Sequence, residues 1–239
     1  MATSIAQAWE RFERWLREHA PRIAAGLGAP ATSERIAAVE RELGRSLPAD
    51  WRASLLIHDG EATDVGSIAG LRLNSLDALV ADWRAMAGLD EEGDFAPLPS
   101  NDTDDFAATL ALIKGIEAQA HARLGKRAGG GLAAVRPPAS ASLSKHRGLR
   151  GGHWNRGWVP IASTGSGNSF SLDLDPVEGG RVGQMFFFDH EVGPGPVISQ
   201  SFTEWLTRYV EDLEQGRVGV GPSGYLVRFD RRRAATWWR

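Results

Sequence analysis

The stretch at residues 158–176, WVPIASTGSGNSFSLDLDP, has the most regular pattern in the chain and gives the clearest indication of the fold class. Its first five residues indicate a short strand, and residues 165–168 (GSGN) indicate a turn. From residue 169 to residue 175 polar and apolar side chains alternate strictly, as they do in a strand with one buried face. The stretch therefore predicts two antiparallel strands, the second with a solvated acidic face.

Two further strands and a helix follow this pair. Residues 182–188 (VGQMFFF) indicate a buried strand, and residues 196–200 (PVISQ) indicate a shorter one. Ser201 and Glu204 have the spacing of a capping box, and the helix that they predict ends at Gly216. Antiparallel strands followed by a packed helix predict an α+β fold, with a twisted, mostly antiparallel sheet packed with helices.

The N-terminal third is predicted to be mainly helical, because its apolar residues recur every three or four positions. Helices are expected at residues 5–20, 33–43, 47–59 and 76–86, with a short strand at residues 67–73. Gly44 and Gly60 supply stop signals for the second and third of these helices.

The composition excludes several classes of function. The chain has 239 residues and no cysteine, so disulfides, thiolate zinc sites and cysteine nucleophiles are absent. A net charge of −3 creates no global field for non-specific nucleic-acid binding. The first twenty residues lack the pattern of a secretory leader, and no run of about 18 apolar residues occurs. We therefore expect a soluble, cytoplasmic protein without a membrane segment.

The middle of the chain has a different composition from the rest. Residues 90–113 hold seven acidic and no basic residues, whereas residues 114–156 hold nine basic residues and one acidic residue. Because so long a connection without strands is unusual in a compact domain, we interpret residues 89–154 as a partly disordered insertion with one helix at 103–127. The basic part has only Trp154 for base stacking, so nucleic-acid binding is disfavoured.

Five blocks of sequence, taken in order, resemble the SUKH superfamily, and in particular its fungal branch of Smi/Knr-type cell-wall assembly regulators. The blocks are LPADWRASLLIHDGE (47–61), GLRLNSLDALVADWRAM (70–86), WVPIASTGSGNSFSLDLDP (158–176), VGQMFFFD (182–189) and SFTEWLTRYVEDLEQG (201–216). The resemblance implies a single SUKH-like domain at residues 31–218 with the insertion at 89–154. A leading helix at residues 1–30 and a basic tail at 219–239 complete the expected organisation.

The resemblance also implies protein binding without catalysis. Bacterial members of the superfamily are immunity proteins that neutralise secreted toxin domains, often nucleases or deaminases. Fungal members are non-enzymatic regulators of wall glucan synthesis. The superfamily supplies no catalytic residues.

The polar motifs contain no convincing catalytic or metal-binding set. Asp173 and Asp175 have the spacing of a D-x-D metal site, but Glu178 stands where a calcium loop requires glycine. Ser142 and Lys145 match the first element of penicillin-recognising serine enzymes, yet the partner motifs of those enzymes are missing from the sequence. We therefore expect no enzyme activity, no cofactor and no metal.

The partner-binding residues are predicted to lie at two turns, on the acidic strand and at two tryptophans. Tryptophan is enriched at protein interfaces, and an acidic face would steer a basic partner such as a nuclease. The candidates are Asp59, Gly60, Glu61, Trp154, Trp158, Gly165, Gly167, Asn168, Asp173 and Asp175.

Two hypotheses follow from these observations. The first is a cytoplasmic bacterial immunity protein that binds and neutralises a secreted polymorphic or type VI toxin domain, and the arginine-rich composition is taken to favour a bacterial source. The alternative is a regulatory scaffold of the cell-wall assembly regulator type, which binds several partners through residues 89–154.

Overall fold

The computed structural model describes residues 3–92 and 148–229. The helices of these residues are α1 (Ile5–His19), α2 (Pro21–Gly26), α3 (Ser33–Leu43), α4 (Ala49–Leu55), α5 (Leu76–Glu92) and α6 (Phe202–Glu214). The strands are β1 (Arg72–Leu73), β2 (Trp158–Ser163), β3 (Ser169–Asp173), β4 (Gln184–Asp189), β5 (Gly193–Ser199), β6 (Val218–Val220) and β7 (Leu226–Arg228). These helices and antiparallel strands confirm the predicted α+β class.

The first five strands form one antiparallel sheet in the order β1-β2-β3-β4-β5, and β6 pairs with β7 separately. Residues 158–173 form the β2–β3 hairpin, in which Trp158 lies opposite Asp173 and Pro160 lies opposite Ser171. The edge strand β5 contains Pro194 and Pro196, which have no N–H group to offer a further strand.

Helices pack against both faces of this sheet. Phe170 of β3 contacts Trp205 of α6, with a distance of 5.6 Å between ring centroids. Since successive residues of a strand point to opposite faces, Ser169 and Ser171 lie on the other face, where α5 packs on β2. All five residues of β3 are buried, so the expectation of a solvated polar face is wrong. The alternation of polar and apolar residues predicted the strand, but it did not predict that a helix covers its polar face.

The leading helix α1 belongs to the same hydrophobic core as the sheet. Its residues Trp9, Phe12 and Leu16 are at most 1% exposed. The Trp9 indole donates a hydrogen bond to Ser54 Oγ of α4 at 2.9 Å, and the Phe12 ring meets the Tyr209 ring of α6 edge-on. The structure thus places the N-terminal helix in the core of the domain rather than beside it.

Several local predictions differ from the structure. The sequence pattern did not predict α2, which starts at Pro21 directly after α1. The expected helix at residues 47–59 ends at Leu55, and the expected strand at residues 67–73 shrinks to Arg72–Leu73. Residues 93–147 and 230–239, including the predicted helix at 103–127 and the pair Ser142 and Lys145, lie outside the described residues.

In the described parts of the chain, none of the helices has the length and apolar character needed to cross a membrane.

The position of α1 in the core leads to a prediction about stability. Phe12→Ala removes a fully buried ring and should lower the free energy of unfolding by about 3–5 kcal/mol. Glu18→Ala, at an exposed position of the same helix, should change it by less than about 0.5 kcal/mol. Chemical denaturation measures both values. Equal effects of the two substitutions would contradict the assignment of α1 to the core.

Candidate functional site

A cleft of about 200 Å³ opens between α5 and the covered face of the sheet, and we call it the aromatic cleft. Its apolar wall consists of Met86 from α5, Trp158 from β2, Phe188 from β4 and Trp154 from the segment before β2. Trp158 and Phe188 are neighbours, with 6.3 Å between ring centroids. Three aromatic rings therefore line one small cleft. Trp158 and Phe188 come from β2 and β4, the two strands that flank β3, and Trp154 comes from the segment before β2.

The polar wall of the aromatic cleft is organised by Asn74, which is fully buried. The Asn74 amide nitrogen donates to Asp82 Oδ2 of α5 at 3.1 Å and to the Pro160 carbonyl at 3.2 Å. Its amide oxygen accepts a hydrogen bond from Ser163 Oγ at 3.0 Å. Asn74 thus ties α5 to β2, but no pattern in the sequence singled it out.

One buried donor of a residue that lines the cleft has no partner among the described residues. The indole nitrogens of Trp9 and Trp83 each donate to an oxygen 2.9 Å away, in Ser54 and Arg156 respectively. Trp158 is 1% exposed, yet its Nε1–H has no acceptor among the described residues. An unsatisfied buried donor costs free energy, so an acceptor supplied from outside would be stabilised there.

The turn between β2 and β3 forms one end of the cleft. Gly165 and Gly167 line it, and both have positive φ values, of 76° and 96°. Asn168 is engaged by the protein itself, because its Oδ1 accepts a hydrogen bond from the His190 backbone N–H at 3.0 Å. The structure therefore brings Gly165 and Gly167 to the cleft, while Asn168 fixes the turn against the loop after β4.

The other predicted turn, Asp59-Gly60-Glu61, is an internal junction and does not line the cleft. Glu61 is 7% exposed, and its carboxylate accepts hydrogen bonds from the backbone N–H groups of Val65 and Leu73 at 2.8 and 3.0 Å. Gly66 and Ser67 donate to the same carboxylate. A carboxylate with this many donors is held inside the protein, and it offers little to a partner.

Asp59 and Gly60 connect this junction to α5. Asp59 Oδ1 accepts a hydrogen bond from the Leu76 N–H at 2.7 Å, at the start of that helix. Burial raises the pKa of Asp59. Gly60 has a φ of 67°, and a Cβ there would collide with the backbone nitrogen of Ser75. Both residues have structural reasons for their identity.

The two acids of β3 and the following turn are also engaged internally. Asp173 is fully buried and accepts hydrogen bonds from the Asp175 N–H at 2.9 Å and the Gln184 amide at 2.8 Å. Asp175 pairs with Arg150, with 2.9 Å between Oδ2 and Nε. The prediction of an acidic face open to a basic partner is therefore wrong for Asp173. Within the described residues, no group of three or more acidic or histidine side chains is arranged to hold a metal ion.

The fold and the cleft together fit the α+β class of SUKH domains. The model of the SMI1 / KNR4 family (SUKH-1) matches residues 30–208, and the chain belongs to this family. The match runs across the predicted insertion, which the sequence resemblance alone left without a counterpart.

Three fungal relatives illustrate the similarity. The chain is 29% identical to a "KNR4/SMI1 homolog" of Yarrowia lipolytica over 90% of its own length and 31% of the relative's. It is 26% identical to a "Glucan synthesis regulatory protein" of Neurospora crassa, over 89% of this chain and 39% of that protein. The "Cell wall assembly regulator SMI1" of Saccharomyces cerevisiae is 25% identical over 87% and 40% of the two lengths. The chain thus spans 31–40% of the length of these relatives.

These comparisons correct one prediction of function. The hypothesis of a bacterial immunity protein that neutralises a toxin, such as a nuclease, is wrong, because the curated relatives are fungal cell-wall regulators. The alternative hypothesis, a regulator of the cell-wall assembly type, is the one that agrees with the names of these relatives.

The Glu61 junction leads to a prediction about stability. Glu61→Gln replaces a carboxylate oxygen by an NH₂ group that faces backbone N–H donors, and should cost about 3 kcal/mol of unfolding free energy. Glu10→Gln, at an exposed position of α1, is the matched control and should cost less than about 0.5 kcal/mol. Denaturation with urea compares them. A similar small loss in both variants would show that the carboxylate does not hold the junction.

A second prediction concerns pH. Burial raises the pKa of Asp173 above its ordinary value of 3.8. The Asp173 carboxylate is therefore protonated at a higher pH in the folded state than in the unfolded chain. Between the two pKa values the folded state binds more protons, so this group makes stability rise as the pH falls towards 3.8. The unfolding free energy of the unmodified protein minus that of Asp173→Asn should therefore increase as the pH is lowered towards 3.8. The exposed Asp64→Asn is the control, and an equal pH dependence in both variants would contradict the prediction.

Proposed function

We propose that this chain is a non-enzymatic, protein-binding regulator of cell-wall assembly, and that it acts in the cytoplasm as a scaffold. The observation that carries the proposal is the alignment of about nine tenths of the chain with fungal proteins named as regulators of glucan synthesis or wall assembly. The aromatic cleft supports it, because tryptophans in a partly apolar concave surface are typical anchors for protein partners.

The electrostatics of the site favour binding over catalysis. Burial raises the pKa values of Asp59, Asp173 and Tyr209, and each of these groups is hydrogen-bonded within the fold rather than lining the cleft. Among the described residues that line the cleft, Asp82 is the only titratable one. A single carboxylate next to serine hydroxyls lacks the base and the activated nucleophile that a hydrolytic site combines.

Residues 89–154 are proposed to contribute further partner contacts. At the two borders of this segment, Glu91 of α5 forms an ion pair with Arg156, and the Trp83 indole donates to the Arg156 carbonyl at 2.9 Å. The described residues on either side are thus held together by contacts of their own. We therefore expect that residues 93–147 can be replaced without loss of the domain.

An exchange experiment in yeast tests the proposed function. The matching region of the Saccharomyces cerevisiae cell wall assembly regulator is replaced by this chain, because the chain spans only 40% of that protein. In cells that lack the native regulator, the chimera should restore growth under cell-wall stress and the content of wall glucan. A chimera that is expressed and folded but restores neither would contradict the proposal.

A second chimera tests the contribution of the middle segment. It carries a flexible Gly-Ser linker in place of residues 93–147, and the isolated domain with the same linker is used for thermal unfolding. The domain should keep its unfolding transition, because Glu91 and Arg156 remain, while the chimera should lose most of the restored growth and glucan. Full restoration by the linker chimera would show that residues 93–147 do not recruit partners.

A further inference from the structure

We propose that the aromatic cleft binds one arginine side chain of a partner polypeptide, with its guanidinium on Asp82 and a main-chain carbonyl on the Trp158 indole. This inference rests on the proposed function, since its ligand is a protein segment. It adds the chemistry by which the site would recognise that segment.

The first argument is an acidic group without a cation. On α5, Asp77 pairs with Arg35 and Glu91 pairs with Arg156. Asp82 of the same helix forms no ion pair within the described residues, and its one hydrogen bond, from Asn74, reaches Oδ2. The lining contributed by described residues contains no lysine, arginine or histidine. The cleft therefore presents a half-buried carboxylate to whatever enters.

The second argument is the unpaired donor of Trp158. A cation alone would satisfy Asp82 but would leave this buried N–H without an acceptor. A peptide group next to a cationic side chain supplies both, because its carbonyl accepts while the side chain donates. The Asp82 carboxylate and the Trp158 indole N–H together are thus complementary to a single cationic residue within a polypeptide.

The third argument selects arginine over lysine. The rings of Trp154, Trp158 and Phe188 line the cleft, and a planar guanidinium stacks on aromatic faces while it donates to a carboxylate in bidentate fashion. An ammonium is more strongly hydrated and cannot form the bidentate contact. The volume of about 200 Å³ is smaller than a usual small-molecule pocket and suits a single side chain.

Peptide titration with NMR detection tests the proposal. The probe is the capped tripeptide acetyl-Gly-Arg-Gly-amide, and the signal is the indole N–H resonance of Trp158, assigned by its loss in Trp158→Phe. The arginine peptide should shift this resonance saturably. The citrulline peptide, which keeps the shape without the charge, should bind at least about tenfold more weakly, and the lysine peptide several-fold more weakly. Equal binding of the arginine and citrulline peptides, or tighter binding of the lysine peptide, would overturn the proposal.

Two variants locate the binding site. Asp82→Asn keeps the shape of the side chain and should weaken binding of the arginine peptide about tenfold. Trp158→Phe removes the unpaired donor and should weaken binding several-fold, as read from the indole N–H resonance of Trp154, which also lines the cleft. The variant also removes buried ring volume and so lowers the unfolding free energy, and its affinity is measured at a temperature at which it is fully folded. Trp51→Phe is the matched control, because Trp51 Nε1 is also buried without a partner in residues 3–92 and 148–229, but Trp51 does not line the cleft. Unchanged affinity in Asp82→Asn and Trp158→Phe would place the peptide elsewhere and overturn the assignment.

Failure of this proposal can be told apart from failure of the proposed function. If the chimera restores glucan while the arginine peptide does not bind, the cleft proposal fails and the regulatory role stands. If the chimera fails while the peptide binds in the cleft, the role in wall assembly fails and the recognition of arginine stands.

Discussion

The carboxylate of Glu61 holds the helical and sheet parts of the domain together. Backbone N–H groups from residues 65, 66, 67 and 73 converge on it, so a segment with little secondary structure of its own is fixed from one point. Leu73 is the end of β1, and Asn74 directly after it positions both walls of the aromatic cleft. Asp59, two residues before Glu61, accepts a hydrogen bond from the first residue of α5, Leu76. The geometry of the cleft therefore depends on a buried charge outside it.

The sequence contained enough information for the α+β class, the β2–β3 hairpin and α6, because these elements have clear periodicity and caps. No pattern in the sequence predicted that Asp173 and Glu61 are buried. An acidic residue in a turn or at a strand end is expected to be exposed unless its hydrogen-bond donors are known. For Glu61 most of these are backbone N–H groups of an irregular segment, and for Asp173 one is the Gln184 amide of the neighbouring strand. Of the residues at the candidate cleft, the two tryptophans and two glycines were among those predicted for partner binding, a role that stays a prediction, whereas Asn74 and Asp82 were not among them.

The error about biological role has a similar origin. The five sequence blocks follow the fold of the superfamily, which bacterial and fungal branches share, so they predict an architecture and a binding role but cannot choose a branch. An arginine-rich composition was a weak guide to source. The alignment with fungal regulators covers about nine tenths of the chain, and it distinguishes the fungal from the bacterial branch where the short blocks do not.

The prolines of β5 have a consequence for how copies of this protein behave next to one another. An exposed sheet edge can template the addition of strands from other molecules, which leads to fibrillar aggregates. Pro194 and Pro196 interrupt the row of donors on one edge of the five-stranded sheet, and β1 at the opposite edge is only two residues long. Within the described residues the sheet is thereby poorly suited to strand addition at both sides, which disfavours edge-to-edge association of neighbouring copies.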